Sequence, residues 1–351
     1  MTLRVGLTYN IKKSVDPNSE QPEDFYIEFD DEATVDAIAE ALRKGKCEVF
    51  KIEANEEAYN KFQNLKPDIV FNIAEGLRGE SRESQIPAML EMLGIPYTGS
   101  GPLTLAIALD KALTHQFLKA NGVPSPNFQV FSSPNQKIKR NLEFPLIVKP
   151  LSEGSSKGIR SRSLVKDEKS LRDQITWVIK TYKQPAIVEE FLPGREFTVG
   201  LIGNDNPVVL PIVEILLEKL PSEASPIYSY EAKWVWDVPE KPLDIFRCPA
   251  DISAELETEI NQIAVKTFHV LNCRDLCRMD IRLDKKGKPR ILEVNPLPGL
   301  IPDPDAHSCL PEAASAAGIS YDQLICTILW QALKRYNLQH LFENRLMVSL
   351  L

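Results

Sequence analysis

The first hundred residues alternate short apolar runs with amphipathic helical patterns, and this alternation constrains the fold more than any other feature. Residues 3–8 and 68–72 are brief and largely apolar, as strands buried in a parallel sheet tend to be. Between them, residues 35–42 carry apolar side chains at helical spacing, and Gly45 can end that helix. The pattern predicts a parallel α/β sheet, whose ligands bind at the carboxyl ends of the strands.

Composition and charge exclude several other classes of protein. The 351 residues are 43% hydrophobic and 26% charged, which is typical of a globular protein of two or three domains. The net charge of −8 argues against nucleic acid as a partner, and no apolar run reaches the roughly 18 residues of a membrane helix. Six scattered cysteines do not form a disulfide framework, and no signal-peptide pattern is present, so we expect a cytoplasmic protein.

The remainder of the chain has a different pattern. From Pro102 onward it predicts one helix, which leads to a Pro-rich exit at residues 123–126. From about residue 128 to 197 strands alternate with one long helix, and beyond that point the strands become more antiparallel. A last helix begins with the capping pair Ser320 and Gln323.

A predicted hairpin, residues 277–295, is the segment most informative about chemistry. Both strands alternate polar and apolar residues, so each has one polar face. A turn centred on residues 286–287 predicts the facing pairs Arg278–Asn295 and Asp280–Glu293. Two carboxylates and a carboxamide on one face are the oxygen ligands that Mg²⁺ prefers. The alternative is a solvated hairpin face whose charges pair with one another.

A small-residue loop is the second informative element. Residues 144–150 predict a strand, and the loop at 152–158 follows it. Small residues let backbone N–H groups approach a phosphate closely, and Lys149 adds a positive charge. The spacing of a Walker loop is absent, and alone the loop is also compatible with a plain turn. A phosphate loop together with a separate metal cage is much more specific than either one.

Several motifs between residues 72 and 336 are informative when they are taken together. They are Tyr97-Thr98-Gly99-Ser100, Asp110-Lys111, Lys149-Pro150, Glu153-Gly154-Ser155-Ser156, Val188-Glu189-Glu190-Phe191-Leu192, Glu196-Phe197-Thr198, Arg278-Met279-Asp280 and Leu292-Glu293-Val294-Asn295. This set resembles the ATP-grasp superfamily, and specifically the D-alanine–D-alanine ligases. The resemblance implies an α/β fold, α+β in parts, with three domains and with ATP held between the last two. Those domains are an N-terminal parallel α/β substrate domain (1–110), a central subdomain (111–197) and a C-terminal subdomain with the metal and oxyanion site (198–351).

The resemblance also implies site residues. Those expected around ATP are Lys111, Lys149, Glu153, Gly154, Ser155, Ser156, Glu189, Glu190, Leu192, Glu196 and Lys233, with the lysines on phosphates and acids on adenine and ribose. Those expected to hold two Mg²⁺ ions, for which Mn²⁺ can substitute, are Asp280, Glu293 and Asn295. Those expected to be catalytic are Arg278, Ser155, the Gly299 backbone N–H and Lys233 on a mobile lid, residues 220–242. Those expected to bind amino-acid substrates are His307, Ser308, Glu75 and Glu80.

The implied activity is that of an ADP-forming ligase of small, amino-acid-like molecules. A carboxylate attacks the γ-phosphate of ATP, and an amine then displaces phosphate from the acyl phosphate. For D-alanine this would serve peptidoglycan synthesis in the cell wall, and relatives are commonly homodimers. The alternatives are a ligase of another amino acid or of a specialised-metabolite carboxylate, and an ATP-binding regulatory module without ligase activity.

Three departures from the family pattern fall in the expected pocket for the first substrate. The N-terminal strand lacks the Gly-Gly turn and the glutamate that follows it, Glu75 replaces a histidine, and Trp234 replaces a lid tyrosine. Glu75 is expected to hold the substrate ammonium in place of the missing glutamate. The alternative is that Glu75 pairs with Arg78 or Arg82 and only shapes its loop.

Three further features have structural interpretations. Cys273 and Cys277 lack partners at zinc spacing and are expected in the core. His115 and His269 lie on helix-like segments and are also expected to be structural. The apolar tail, residues 341–351, is compatible with docking on a partner subunit or with folding back on its own domain.

Overall fold

The N-terminal part contains the predicted parallel sheet. The structure, a computed structural model, describes residues 2–16, 18–237, 243–303, 306 and 308–342. The first strands are β1 (Arg4–Tyr9), β2 (Glu48–Glu53) and β3 (Ile69–Asn72), parallel in the order β2-β1-β3. The helices between and after them are α1 (Glu32–Lys44), α2 (Ala58–Leu65) and α3 (Gln85–Leu93). The predicted strand–helix alternation is therefore confirmed.

The helix predicted from Pro102 onward is two helices, α4 (Pro102–Leu109) and α5 (Lys111–Ala120). Asp110 between them is extended, with ψ of 103°, and its carboxylate accepts a hydrogen bond from the Leu113 N–H at 2.9 Å. An aspartate in this position caps a helix, because it satisfies a free N–H of the first turn. The break makes Lys111 the first residue of α5.

The central part is an antiparallel sheet covered by one long helix. Its strands are β4 (Phe128–Phe131), β5 (Leu146–Pro150), β6 (Leu164–Val165) and β7 (Ala186–Glu190), in the order β4-β7-β5-β6. Helix α6 (Glu168–Tyr182) contributes Leu171, Ile175 and Val178 to a core shared with these strands.

The C-terminal part has a larger antiparallel sheet. Its strands are β8 (Glu196–Gly203), β9 (Val208–Val209), β10 (Val213–Ile215), β11 (Phe246–Arg247), β12 (Asp275–Leu283) and β13 (Pro289–Asn295). Their order is β11-β10-β8-β12-β13, with β9 beside β8. The helices are α7 (Ala254–Val270), α8 (Cys309–Ala316) and α9 (Tyr321–Arg335). The predicted capping pair Ser320 and Gln323 begins α9 as a reciprocal capping box.

One apolar core joins the two ends of the chain. Val35 and Ile38 of α1 belong to the same buried cluster as Leu324 and Ile328 of α9. This cluster fixes the N-terminal domain against the C-terminal sheet, and the predicted boundaries between the three domains remain predictions. Cys273 and Cys277 are buried, as expected. Of the tail, residues 343–351 lie outside the described residues, and no helix in the described part is long and apolar enough to cross a bilayer.

Candidate active site

Two adjoining cavities lie where the three sheets meet. The larger has a volume of about 240 Å³ and the smaller about 80 Å³. The predicted site residues on the larger are Lys149, Ser155, Ser156, Glu190, Leu192, Glu196, Lys233, Arg278, Asp280, Glu293, Gly299 and Ser308. Those on the smaller are Glu75, Lys111, Glu153, Gly154, Ser155, Arg278, Glu293, Asn295 and Gly299. The loop at 152–158 and the hairpin β12–β13 thus line both cavities.

The hairpin has the predicted register at the site, although its turn lies elsewhere. Asp280 faces Glu293 and Arg278 faces Asn295, as predicted. Near the turn Leu283 faces Pro289, so the turn is centred on residue 286 instead of between 286 and 287. A β-bulge after Asp280 corrects the difference, because β13 carries one extra residue, Leu292, there. Leu292 lines the larger cavity.

Oxygen ligands converge on the polar face of this hairpin. Asp280 and Glu293 are about four-fifths buried, with side chains 18% and 23% exposed. The Asn295 amide donates to Asp280 at 3.3 Å, and the Thr198 hydroxyl donates to the other Asp280 oxygen at 2.9 Å. Lys111 Nζ lies 2.7 Å from a Glu293 oxygen. The two facing carboxylates therefore open onto the cavities and are oriented by neighbours.

This donor set fits a hard divalent cation. Two carboxylates and an amide oxygen leave coordination positions for phosphate oxygens and water, which is how Mg²⁺ is usually bound. No cluster of three or more His, Cys, Asp or Glu with metal-binding geometry exists in the part of the chain that the structure describes. Phosphate oxygens and water can complete the coordination, as is usual for Mg²⁺ in phosphoryl transfer.

Arg278 lies between the two cavities. Its guanidinium donates to Asp280 at 3.1 Å, while its buried Nε has no hydrogen-bond partner among the described residues. Burial opposes the charge on Arg278, but Asp280 and other nearby acids outweigh it and raise the pKa of the guanidinium. A charged group with an unused donor is suited to stabilise an oxyanion beside Gly299, which lines the same two cavities.

Lys149 is supported from behind by a buried carboxylate. Its Nζ lies 2.7 Å from Glu189, whose other oxygen lies 3.0 Å from His115 Nε2. The Glu189 side chain has no solvent exposure and does not line the larger cavity. Burial opposes the charge on Glu189, but Lys149 and His115 overcome it and hold the pKa of the carboxyl below its ordinary value. Glu189 therefore lies behind Lys149, and its predicted contact with the nucleotide remains a prediction.

The loop at 152–158 has an unusual backbone and contacts the lid segment. Ser155 and Ser156 have φ of 50° and 59°, in the left-handed region that non-glycine residues seldom adopt. The Trp234 indole donates to the Ser155 carbonyl at 3.1 Å, and the Ser156 hydroxyl donates to the Tyr228 carbonyl at 2.9 Å. The lid segment (residues 220–242, described to 237) thus packs directly on the loop. Lys233 lines the larger cavity beside it.

Glu28 is a site residue that the sequence did not assign. Its carboxylate accepts a hydrogen bond from the Gly154 N–H and lies 2.7 Å from Arg82. Arg82 also contacts Glu153 at 3.3 Å, and Lys157 contacts Glu153 at 2.8 Å. The connection between β1 and α1 therefore holds the loop at 152–158 through buried charges. Because Glu28 is 126 residues from Gly154, no local sequence pattern could have indicated this contact.

The remaining wall of the larger cavity is partly apolar. Glu190 is fixed by Asn127, whose backbone and side-chain N–H groups donate to its carboxylate at 2.9 and 3.1 Å. Glu196 contacts Arg282 at 3.0 Å. Apolar side chains to which the sequence assigned no role lie around these acids, namely Ile147, Ile159, Phe191, Ile215 and Ile227. An apolar slot edged by carboxylates can hold a flat heterocycle and its attached sugar.

In the part of the chain that the structure describes, two acids of the smaller cavity lack the ion pairs that its other glutamates make. Glu75 and Glu83 line it and make no ion pair or hydrogen bond among the described residues. Burial, followed by the neighbouring Glu83, raises the pKa of Glu75 well above its ordinary value. Burial and Asp31 raise the pKa of Asp30, which lines both cavities, to about 7. A cation entering this cavity would relieve these costs.

The two arginines named in the alternative interpretation of Glu75 pair with other acids. Arg78 is exposed and lies 2.7 Å from Glu56, while Arg82 pairs with Glu28 and Glu153. Neither arginine is within ion-pair distance of Glu75, so the alternative in which Glu75 only shapes its loop lacks its partner.

The other predicted substrate residues differ in where they lie relative to the cavities. Glu80 is exposed and lines neither cavity, so its predicted role has no structural support. The chain turns outward before it, where Gly79 has a φ of 100°. Ser308 lines the larger cavity and donates to the Gly299 carbonyl at 3.1 Å. His307 lies outside the described residues.

Known proteins resemble this chain over most of its length. The family model described as D-ala D-ala ligase C-terminus matches residues 117–330. The D-alanine–D-alanine ligase of Carboxydothermus hydrogenoformans is 36% identical over 310 residues, which cover 86% of this chain and 93% of that ligase. The uncharacterized protein y4sG of Sinorhizobium fredii is 37% identical over 310 residues, 86% of this chain and 88% of that protein.

Solved structures share the fold. The crystal structure of D-alanine–D-alanine ligase from Bacillus anthracis complexed with ATP has a TM-score of 0.70 and 24% identity, and covers 96% of this chain and 99% of that one. A second crystal structure of that ligase has a TM-score of 0.71 and 26% identity over the same shares. The likeness confirms the predicted α/β fold class with its three-domain ATP-grasp architecture.

Proposed function

The chain belongs to the D-alanine–D-alanine ligase family, and on that premise we propose that it is an ADP-forming carboxylate–amine ligase that uses Mg-ATP. The observation that carries the proposal is the convergence of three elements on one pair of cavities. They are the facing acids Asp280 and Glu293, the supported Lys149, and the loop at 152–158. A solvated hairpin face would not require these elements to meet.

ATP is proposed to occupy the larger cavity. The apolar slot would take the adenine, Glu196 would accept from the ribose hydroxyls, and Lys149 with the loop N–H groups would contact the phosphates. Asp280, Glu293 and the Asn295 amide oxygen would hold Mg²⁺, which neutralises charge on the transferred phosphoryl group. Lys111, now 2.7 Å from Glu293, would be free to contact phosphate once that carboxylate binds a metal.

Catalysis would rest on positioning and on fixed charges. The first substrate's carboxylate would attack the γ-phosphate, with Lys233 of the lid segment near the transferred group. The amine of the second substrate would then attack the acyl carbon and expel phosphate. Arg278 and the Gly299 N–H would stabilise the oxyanion of that tetrahedral intermediate, since donors fixed in a partly dry site need no reorganisation. Ser155 would help to hold the reacting carboxylate at the junction of the cavities.

The first substrate is proposed to be an amino acid whose ammonium enters the smaller cavity. Glu75 would be the principal acceptor, because it faces this cavity without an ion partner. Asp30 and Glu83 would add to the negative potential. The relatives named D-alanine–D-alanine ligase make D-alanine the first candidate, with a role in peptidoglycan synthesis. Because Glu75 stands where the family pattern has a histidine, other amino acids should be tested beside D-alanine.

The proposal extends to the setting of the enzyme. A cytoplasmic homodimer acting on small molecules is the expectation that follows from the family. A regulatory module that binds ATP without ligating would have no need of Arg278 and Gly299 at the junction of the cavities, so we do not favour that alternative.

Phosphate release with Mg-ATP across a panel of D- and L-amino acids, singly and in pairs, tests the proposal. We expect release that depends on amino acid and yields ADP and a new amide. The Glu293→Gln protein is the matched control, since it keeps the shape of the site but not its charge. Release of AMP, or no release with any pair, would contradict the proposed function.

A further inference from the structure

Arg282 is a buried cation that none of the roles above uses. It lies on β12 two residues after Asp280, on the same polar face, and its side chain is only 5% exposed. Burying a guanidinium is costly unless its donors are satisfied. Each of the three Arg282 nitrogens has an acceptor, and these acceptors lie on different parts of the chain.

One partner, Glu196, lines the larger cavity, and a second, Gly194, lies just before the same strand. Nη1 lies 3.0 Å from Glu196, which faces Arg282 in the β8–β12 register. Nε donates to the carbonyl of Gly194, two residues before β8, at 3.1 Å. The guanidinium also lies 4.7 Å from the ring centre of Phe191, which lines the cavity. Arg282 therefore organises the wall that faces the sugar and base of a nucleotide.

The third partner belongs to the lid segment. Nη2 donates to the Pro226 carbonyl at 2.8 Å. An ion pair that served only to stabilise β8 against β12 would not need this contact. The planar fork of an arginine can bridge a carboxylate and a separate carbonyl at fixed angles, which the single ammonium of a lysine cannot do.

We propose that Arg282 is a positioning residue that holds Glu196 toward the nucleotide ribose and connects the lid segment to this wall of the larger cavity. The inference rests on the proposed function, because it takes ATP as the ligand of the larger cavity. Burial favours the neutral form of Glu196, and Arg282 opposes that effect. Loss of Arg282 would leave Glu196 buried without its cation, and a protonated carboxyl is a poorer acceptor for a hydroxyl.

The test uses the full-length protein and two substitutions with different consequences. Arg282→Met removes both contacts, whereas Arg282→Lys can keep a charge near Glu196 but cannot also reach Pro226. Arg290→Met is the matched control, since Arg290 faces Arg282 across the hairpin but pairs with Asp284 outside the cavities. Calorimetric binding of Mg-ATP and of Mg-2′-deoxy-ATP measures the ribose contact. Protease cleavage within residues 220–237, with and without a non-hydrolysable ATP analogue and Mg²⁺, measures the lid.

We expect wild type and Arg290→Met to prefer ATP to 2′-deoxy-ATP by roughly tenfold, as one hydrogen bond to a charged group implies. In Arg282→Met this preference should fall below about threefold, and the analogue should no longer slow cleavage of the lid. Arg282→Lys should keep the preference but lose the protection. A merely structural role would lower thermal stability without changing the preference for ribose.

The outcomes are distinguishable. Wild-type preference and wild-type protection in both Arg282 variants would overturn the inference. If Arg282→Met fails to fold, Arg282→Lys still decides, because protection equal to wild type would refute the connection to the lid. Absence of Mg-ATP binding by the wild-type protein would instead contradict the proposed function.

Discussion

Glu196 of the larger cavity and Glu189 behind it have cations beside them, whereas Glu75 and Glu83 of the smaller cavity do not in the part of the chain that the structure describes. Glu189 lies 2.7 Å from Lys149 and Glu196 lies 3.0 Å from Arg282, while Glu75 and Glu83 make no ion pair within the described residues. A paired charge holds its partner in place before any ligand arrives. An unpaired buried carboxylate has a cost that a cationic ligand can relieve. The comparison suggests that the first cavity is preorganised for a polyanion and that the second is complementary to an ammonium group.

Removing charge from the shared hairpin should impair the function of both cavities at once. Glu293→Gln takes away one of two facing carboxylates without changing its shape, so we expect turnover to fall by about a thousandfold or more. The thermal midpoint should change little, because Glu293 opens onto the cavities. Steady-state phosphate release and a melting curve measure the two effects. Glu259→Gln is the control, as Glu259 pairs with Lys288 on the exposed side of the hairpin, and wild-type turnover in Glu293→Gln would refute the metal assignment.

Glu75→Gln should weaken substrate binding in the smaller cavity alone. We expect the KM for the first amino acid to rise roughly ten- to a hundredfold, because a charge-assisted hydrogen bond contributes about 1.5–3 kcal/mol. The KM for ATP should stay within twofold, since the nucleotide is proposed to lie in the other cavity. Glu80→Gln on the same loop is the matched control, as Glu80 is exposed. Unchanged KM values in Glu75→Gln would show that another residue holds the ammonium.

His115→Leu should weaken nucleotide binding in the larger cavity alone. It removes the side chain that meets Glu189 at 3.0 Å and thereby loosens the support of Lys149. We expect the KM for Mg-ATP to rise roughly tenfold with little change in the KM for the amino acid. His115→Gln, which can present an N–H near the position of Nε2, should recover most of the loss. Equal effects on both KM values would point to a general packing defect.

Asp30 gives the smallest expected effect, which is on stability. Burial raises the pKa of this carboxyl from 3.8 to about 7, so between those values the folded protein binds the proton more tightly than the unfolded chain. Stability should therefore fall as the pH rises from 4 to 7, and Asp30→Asn should lack that fall. We expect the variant to be about 1 kcal/mol more stable than wild type at pH 8 and similar at pH 4, after allowance for solvent screening.

Urea unfolding at the two pH values measures this difference. Asp36→Asn is the control, because Asp36 is largely exposed. If the difference in stability between wild type and Asp30→Asn is the same at both pH values, burial does not raise the pKa of the Asp30 carboxyl.

The parts of the site that follow a local period were predictable from the sequence. The alternation along β12 and β13 predicted which hairpin residues face one another, and the bulge at Leu292 preserved that result despite the shifted turn. The same alternation, extended by two residues, would have indicated Arg282. The break at Asp110 was missed because the apolar residues on both sides continue one helical pattern.

Contacts between distant segments had no such signal. Glu28 meets Gly154 across 126 residues, and His115 meets Glu189 across 74. A buried carboxylate and a surface carboxylate look alike in a sequence, because only the fold decides which cations surround each one. For this reason the sequence could not show that Glu189 lies behind Lys149 or that Glu80 is exposed.

Transfer of oxygen tests the central claim most directly. The first amino acid is supplied with ¹⁸O in both carboxylate oxygens, and the phosphate released with Mg-ATP is analysed by mass spectrometry. Attack of the carboxylate on the γ-phosphate, followed by displacement by an amine, leaves one carboxylate oxygen on phosphate. The account predicts one ¹⁸O atom in each phosphate released and one in the amide product. Phosphate free of label, with both labelled oxygens still on the amino acid, would contradict it.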